Sequence, residues 1–296
     1  MYHQPLFSQG IPGENGIVDS AMAEREVGSS AANQNAPRSR YQLPIETTSH
    51  RPWPLPRSAW VMRMTWEDLL FAHWPVPAAA LRPLIPLSLE IDMLDGSAWL
   101  GVVPFRMTGV RLRGLPPLPG ARSFPELNVR TYVSAEGKPG VWFFSLDAAS
   151  RIAVRAARAW FHLPYFDARM ESRRNGEEVA YASGRTHRGA SPAEFVARYR
   201  PTGDIFRSAH GSLEHFLTER YCLYAGDAAI AKPASGERLW RGEIHHAPWP
   251  LQPAEAEIIA NTMTGPLSLR LPAAPPLLHF ARHLNVFAWP PKPANL

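Results

Sequence analysis

The sequence predicts a mainly β protein of the α+β class, built on an antiparallel sheet bent far enough to approach a barrel. Two observations carry this. Apolar, β-branched or aromatic runs of five to eight residues recur between Gly, Pro and Asp, among them SAWLGVVPF, LNVRTYV, GVWFFSL and RLWRGEIHH. Helix-like segments are few and are inserted among these runs, so alternating βαβ units are not the pattern.

In chain order, Met1 to about residue 57 is rich in Gly, Ser, Asn, Gln and Pro, without a period of 2 or 3.6, and is expected to be a disordered leader. The folded part is expected from Ser58 to about residue 290, with 291–296 a tail. AWVMRMTW, from Ala59, opens it as a strand or a short amphipathic piece. LNVRTYV and VWFFSL flank SAEGKPG, a hairpin connection in which Gly137 or Gly140 can take positive φ. Asp147 is a candidate N-cap for AASRIAVRAARAWF, which must end before Pro164. SPAEFVARYR is expected to be a second helix, with Ser191 as cap and Pro192 at its first position. GSLEHFLTERYCLY reads as a helical turn feeding a strand.

Composition narrows the function classes. Of 296 residues, 45% are apolar and 19% charged, as in globular proteins. Prolines make up about a tenth of the chain, roughly double the usual share, which disfavours long helices. The 31 basic residues are 28 Arg and 3 Lys, and Lys138, Lys232 and Lys292 all precede proline. The net charge of +5 comes from scattered arginines and not from a basic run, so no nucleic-acid partner is expected. Cys222, the single cysteine, excludes an internal disulfide and any multi-cysteine metal centre, and fits a reducing compartment. No stretch reaches 18 consecutive apolar residues and the first thirty do not read as a secretory signal, so a cytoplasmic protein without a membrane partner is expected. GxGxxG, P-loop, GxSxG, HExxH and CxxC signatures are all absent.

Four groups of residues could carry chemistry. Glu126, Asn128 and Arg130 alternate along one strand and therefore share a face. Facing a pocket, Arg130 would hold an anion and Glu126, raised in pKa by burial, would carry a proton; at the surface, Glu126 would only pair with an arginine. Arg151, Arg155 and Arg158 share a helix face and read as an anion site or a solvated stripe. His162, Tyr165 and Asp167 follow that helix in a proline-broken loop, with His162 either an acid–base group or a structural histidine. Glu243 and His245 point one way from their strand and His246 the other, so the two histidines cannot easily share a metal. His279 and His283 could share a helix face without an identifiable third ligand. No metal site and no cofactor are expected.

The run LRPLIPLSLEID (Leu81 to Asp92), with SAWLGVVPFRM, FPELNVRTYV, GKPGVWFFSLDA, FHLPY, GSLEHFLTERYCLY and GEIHHAPWPL, resembles the YqjF-like bacterial family of the acetoacetate decarboxylase-like superfamily, over residues 58 to 290. The resemblance implies a bent antiparallel sheet closing into a barrel or cone around a ligand cavity, with helices outside. Arg82, Pro86, Leu89, Glu90 and Asp92 match the superfamily's early segment, and Glu126 sits where the decarboxylase keeps its pocket glutamate. Leu146, Asp147, Ile152, Ala153 and Val154 resemble the stretch before the decarboxylase's reactive loop. There the likeness breaks: an aromatic-Pro-Lys-Lys motif supplies the decarboxylase's Schiff-base lysine, its pKa lowered by apolar surroundings and a neighbouring cation, whereas Pro164 is followed by Tyr165 and Phe166. No lysine lies between Pro139 and Ile230, and arginine does not deprotonate in proteins.

The expected function is therefore a cavity for a small organic acid or carbonyl compound, either a binding protein or an enzyme using acid–base chemistry without a covalent adduct, such as a lyase or isomerase. Glu126, His162 and Tyr165 are the candidate catalytic residues; Arg130, Asn128, Glu243 and His245 are the candidate ligand-binding ones. An interaction scaffold presenting exposed arginines is the alternative.

Overall fold

The computed structural model of the protein describes residues 45, 47–116, 122–226 and 239–294. Its described residues form thirteen strands: β1 (Met62–Val76), β2 (Glu90–Ile91), β3 (Ala98–Leu112), β4 (Ser123–Ala135), β5 (Lys138–Ala148), β6 (Tyr165–Asn175), β7 (Glu178–Arg185), β8 (Glu194–Pro201), β9 (Cys222–Gly226), β10 (Leu239–His246), β11 (Gln252–Asn261), β12 (Leu277–Ala288) and β13 (Lys292–Pro293). Three short α-helices accompany them: α1 (Ala78–Leu81), α2 (Arg151–Phe161) and α3 (Leu213–Thr218). No helix of the described residues is long and apolar enough to cross a membrane.

The sheet forks. Strands β12, β1, β3, β4 and β5 form an antiparallel wall. At each outer strand of this wall the free edge is shared by two partners. Val141 and Trp142 of β5 pair with β9, whereas Leu146 to Ala148 pair with β6. On β12, Ala288 to Val286 pair with β10, whereas Phe280 and His279 pair with β11. Because β9 pairs with β10, seven strands close a ring on one side of the wall. The chain of pairings β6, β7, β8, β11 closes a second ring on the other. The two pairings of β5 with β6 and β9 are parallel, and the ladder elsewhere is antiparallel.

Burial of both wall faces explains the near-continuous apolar runs in the sequence, the expected text of strands covered on two sides. The second ring is filled by Leu127, Val129, Tyr181, Phe195, Tyr199 and Phe280. Irregularities re-aim side chains along the wall. Asp68 sits at φ 50° beside the register shift between β1 and β3. Its carbonyl accepts the Tyr199 hydroxyl at 2.9 Å, and its carboxylate takes Arg174 and Arg282, each at 3.1 Å. The β4–β5 turn is the expected one, with Glu136 and Gly137 both at positive φ (53° and 69°). Gly140 has a different task. A Cβ there would lie 2.7 Å from Cys222 Sγ and 2.8 Å from the Cys222 carbonyl, so only glycine lets β9 approach β5.

Several expectations are corrected. SPAEFVARYR is strand β8 and not a helix: Phe195, Ala197 and Tyr199 point inward with a period of two, and both edges are paired. Asp147 is no N-cap; it lies within β5, one residue before its end, and Ser150 caps α2 by accepting the Ala153 N–H at 3.2 Å. His279 and His283 stand on β12 and not on a helix. Residues 47–57, grouped by composition with the leader, include Arg51, whose guanidinium donates to the Ile244 carbonyl at 2.6 Å and pairs with Glu243. Most of the leader lies outside the described residues. From the tail, Lys292 and Pro293 pair with Arg241 and Trp240 at the sheet edge.

Candidate functional site

The seven-strand ring is hollow and encloses a cavity of about 220 Å³. On β4, the face opposite Leu127 and Val129 points inward, and it carries Phe124, Glu126, Asn128 and Arg130 into the lining. The same-face reading of this row is correct, and Glu126 is buried, not a surface carboxylate. The rest of the lining is mostly carbon, from Met64, Trp66, Phe105, Phe143, Leu163 and Trp249 among others. At one end α2 covers the ring, because Ala148, which leads into it, is the β5 partner of Glu126. At the other end α3 closes it, with the Leu217 carbonyl 3.5 Å from Arg130 Nη2.

Glu126 has one side-chain partner among the described residues: the Tyr165 hydroxyl donates to its Oε2 at 3.0 Å. Removal from water raises its pKa to about 8; the Tyr165 hydrogen bond pulls the other way, and Asp147 adds to the rise. Tyr165 itself is pushed well above the usual phenol range by burial and by Glu126, so its hydroxyl stays a donor. The Tyr181 hydroxyl donates to the Glu126 carbonyl at 2.7 Å and fixes the backbone from the second ring. Asp147 points away from the cavity into a buried bidentate pair with Arg185, both bonds 2.7 Å.

Deeper in, polar atoms lack partners. Asn128 Oδ1 and Arg130 Nε are buried without a hydrogen bond among the described residues. Arg130 is 9% exposed and joins no ion pair among those residues; its guanidinium rests over Phe71 and Tyr132, at 5.3 and 5.7 Å. Gly101, its neighbour on β3, gives it room, since a Cβ there would meet His73 at 3.0 Å and Arg130 Cγ at 3.4 Å. His73 is held neutral by burial and by the Arg130 charge, and its Nε2 lies 2.6 Å from the Tyr132 hydroxyl.

The other candidates divide. Tyr165 joins Glu126, although it opens β6 and is not in a loop. His162 does not: it ends α2 in the left-handed region and stacks on Trp240, ring centroids 4.7 Å apart. Glu243 reaches the lining, but its carboxylate is taken by Trp53 at 2.9 Å, Lys138 at 3.1 Å and Arg51 at 3.4 Å. His245 faces His50, with ring centroids 5.5 Å apart. These two side chains anchor the segment before β1 and do not join Asn128 and Arg130. His246, on the opposite β10 face as its parity requires, lines the cavity. Burial lowers its pKa to about 4. Arg220 also lines the cavity; sequence reasoning missed it, and its Nη1 pairs with Asp92 at 2.5 Å. The only hint was its place after the α3 turn. Among the described residues no lysine lines the cavity, and no three His, Cys, Asp or Glu side chains cluster as metal ligands. Lys232 lies outside the described residues.

A family model described as an uncharacterised conserved protein, DUF2071, matches residues 63–285. The chain belongs to this family. A relative, the uncharacterised protein YqjF of Bacillus subtilis, is 49% identical over 236 residues, which span 80% of this chain and 93% of the relative. Solved structures share the fold at much lower identity. The enduracididine biosynthesis enzyme MppR, complexed with the condensation product of pyruvate and imidazole 4-carboxaldehyde, has a TM-score of 0.55 at 12% identity, covering 86% of this chain and 95% of that one. Acetoacetate decarboxylase from Legionella pneumophila has a TM-score of 0.53 at 13% identity, covering 83% and 93%. The resemblance carried by LRPLIPLSLEID and FPELNVRTYV thus identified both the family and the fold, and this DUF2071 chain has an acetoacetate decarboxylase-like architecture.

Proposed function

We propose that this protein is a cytoplasmic receptor or enzyme for a small organic acid or carbonyl compound, held in the seven-strand ring against Glu126, Asn128 and Arg130. One observation carries the reading: three buried polar side chains on one face of β4 project into a cavity of about 220 Å³, and two of them keep atoms without a partner among the described residues. Native proteins rarely leave such atoms unmet, so Arg130 Nε, a donor, calls for a ligand oxygen, and Asn128 Oδ1, an acceptor, calls for a ligand O–H or N–H. Arg130 supplies a permanent positive charge for a carboxylate. Glu126, neutral at pH 7, donates to a carbonyl oxygen or passes it a proton, and Arg130 stabilises an enolate-like charge. MppR has been solved in complex with pyruvate and the Legionella protein is an acetoacetate decarboxylase; both share the fold, and both compounds are small oxo acids, which supports the ligand class.

No covalent step is assigned. The lysine amine that Schiff-base chemistry needs is missing from the described lining, and Lys138 is engaged with Glu243. Protein purified from cells and examined by native mass spectrometry, then by thermal shift against a panel of small oxo and hydroxy acids, is expected to show a bound acid or a raised melting temperature that Arg130→Gln abolishes. Incubation with acetoacetate and borohydride is expected to leave the mass unchanged. A panel without a single binder overturns the reading, and a stable adduct overturns the non-covalent chemistry. Turnover lost in a folded Glu126→Gln protein assigns an enzyme; an unchanged co-purifying acid assigns a receptor.

A further inference from the structure

The lining of the ring is graded along its axis. Phe124, Glu126, Asn128 and Arg130 follow one another on β4 from the α2 end to the α3 end, with a rise of roughly 3.3 Å per residue, so the guanidinium lies at the closed floor. At the other end the lining is hydrocarbon: Met62, Leu112, Phe124, Ile152, Trp160 and Trp289. Ile152 and Trp160 are also 57% and 48% exposed, so the cavity meets solvent beside α2. A ligand that answers only Arg130 and Glu126 leaves this apolar end uncovered.

Size adds a second constraint. A cavity of about 150 Å³ holds benzene, six carbon atoms. By that measure 220 Å³ takes about nine non-hydrogen atoms. A carboxylate accounts for three of them.

We infer that the ligand is an amphipathic monocarboxylic acid, bound with its carboxylate on Arg130 at the α3 floor and an apolar tail of about six carbons running along the cavity toward Glu126 and α2. The inference rests on the organic-acid reading above and specifies its ligand. Trp66, Phe105 and Trp249 flank the tail's path, and Ala153 and Ala157 on α2 are small enough to leave space beneath the helix. Glu126, uncharged at neutral pH, does not repel the acid.

The test is a chain-length series of straight-chain carboxylates from acetate to dodecanoate, bound to the full-length protein and followed by calorimetry or quenching of tryptophan fluorescence, with pyruvate, 1-octanol and octanamide alongside. Affinity is expected to rise about fourfold per methylene, to peak near heptanoate or octanoate, and to fall for longer acids. The alcohol and the amide are expected to bind at least tenfold more weakly than octanoate, and Arg130→Gln to erase that preference. Ala157→Phe, which fills the space under α2, is expected to move the optimum to shorter acids. Pyruvate binding as tightly as octanoate, or a flat series, overturns the apolar tail while the organic-acid reading stands. Octanol matching octanoate overturns the carboxylate assignment. Binding by no acid of any length overturns both readings. The wild-type series decides even where a variant fails to fold.

Discussion

Glu126 shows what one residue's surroundings do to its chemistry. An ordinary glutamate loses its proton near pH 4.5, whereas this one keeps it to about pH 8 because its carboxyl is out of water. Between those values the native state holds a proton that the unfolded chain has released, so stability falls as pH rises and levels off above about 8. Glu126→Gln mimics the protonated form. Its denaturation midpoint is expected to match wild type near pH 4.5 and to exceed it increasingly up to pH 8, by at most about 1.4 kcal/mol per pH unit; a pH-independent difference would show an ionised Glu126. Asp147 and Arg185 make the complementary case, a charged pair with side chains 0% and 3% exposed. Arg185→Ala strands a buried carboxylate and is expected to cost about 3–5 kcal/mol. Arg185→Met with Asp147→Asn is expected to recover most of that in urea denaturation.

At the scale of elements, the cavity exists because strands share their edges unevenly. The β5–β9 contact that helps close the hollow ring spans only Val141 to Leu223 and Trp142 to Tyr224, and it is parallel. It depends on Gly140, whose missing Cβ makes way for Cys222. Gly140→Ala is expected to destabilise the protein by about 1–3 kcal/mol and to speed amide hydrogen exchange in β9 and β10 while leaving β6 to β8 protected. Equal acceleration in β6 to β8 would mean that the two rings open as one. Helix α2 has a looser hold: Val154 is its buried residue, whereas Ile152 and Trp160 stand at the rim of the cavity. The Arg151, Arg155 and Arg158 stripe is only partly a solvated face, since Arg158 donates to the Tyr165 carbonyl at 2.7 Å and steadies the start of β6 beside Glu126.

For the whole molecule, one wall serves two interiors, a packed one and a hollow one, and the buried ionisable groups set opposing pH responses. His73, His245 and His246 are all held below the ordinary histidine range, chiefly by burial, with His246 near 4 and His245 near 3. The unfolded chain binds protons below about pH 6.5 that these native histidines refuse, so stability falls as pH drops from there toward 4. With Glu126 acting on the alkaline side, maximal stability is expected near pH 6.5. A urea-midpoint profile from pH 4 to 9 checks this, and Glu126→Gln is expected to flatten the alkaline limb and to steepen the acid limb between about pH 4.5 and 6.5. Loss of the acid limb in wild type would contradict neutral buried histidines.

The sequence by itself determined the wall strands β3, β4 and β5, the β4–β5 turn, the shared face of Glu126, Asn128 and Arg130, and the family, because local periodicity, turn residues and chain-order motifs are all properties of neighbours in the chain. It left SPAEFVARYR open to misreading, since apolar residues at 195, 197 and 199 also satisfy half of a helical spacing. Only the tertiary structure decided that Tyr165, and not His162, meets Glu126, that Asp147 belongs to Arg185, and that Glu243 is neutralised by Arg51 and Lys138. Those pairings join segments far apart in sequence. They follow from which edge of a forked sheet each strand takes, and that choice is made by burial of the entire wall, not by the residues on either side of the contact.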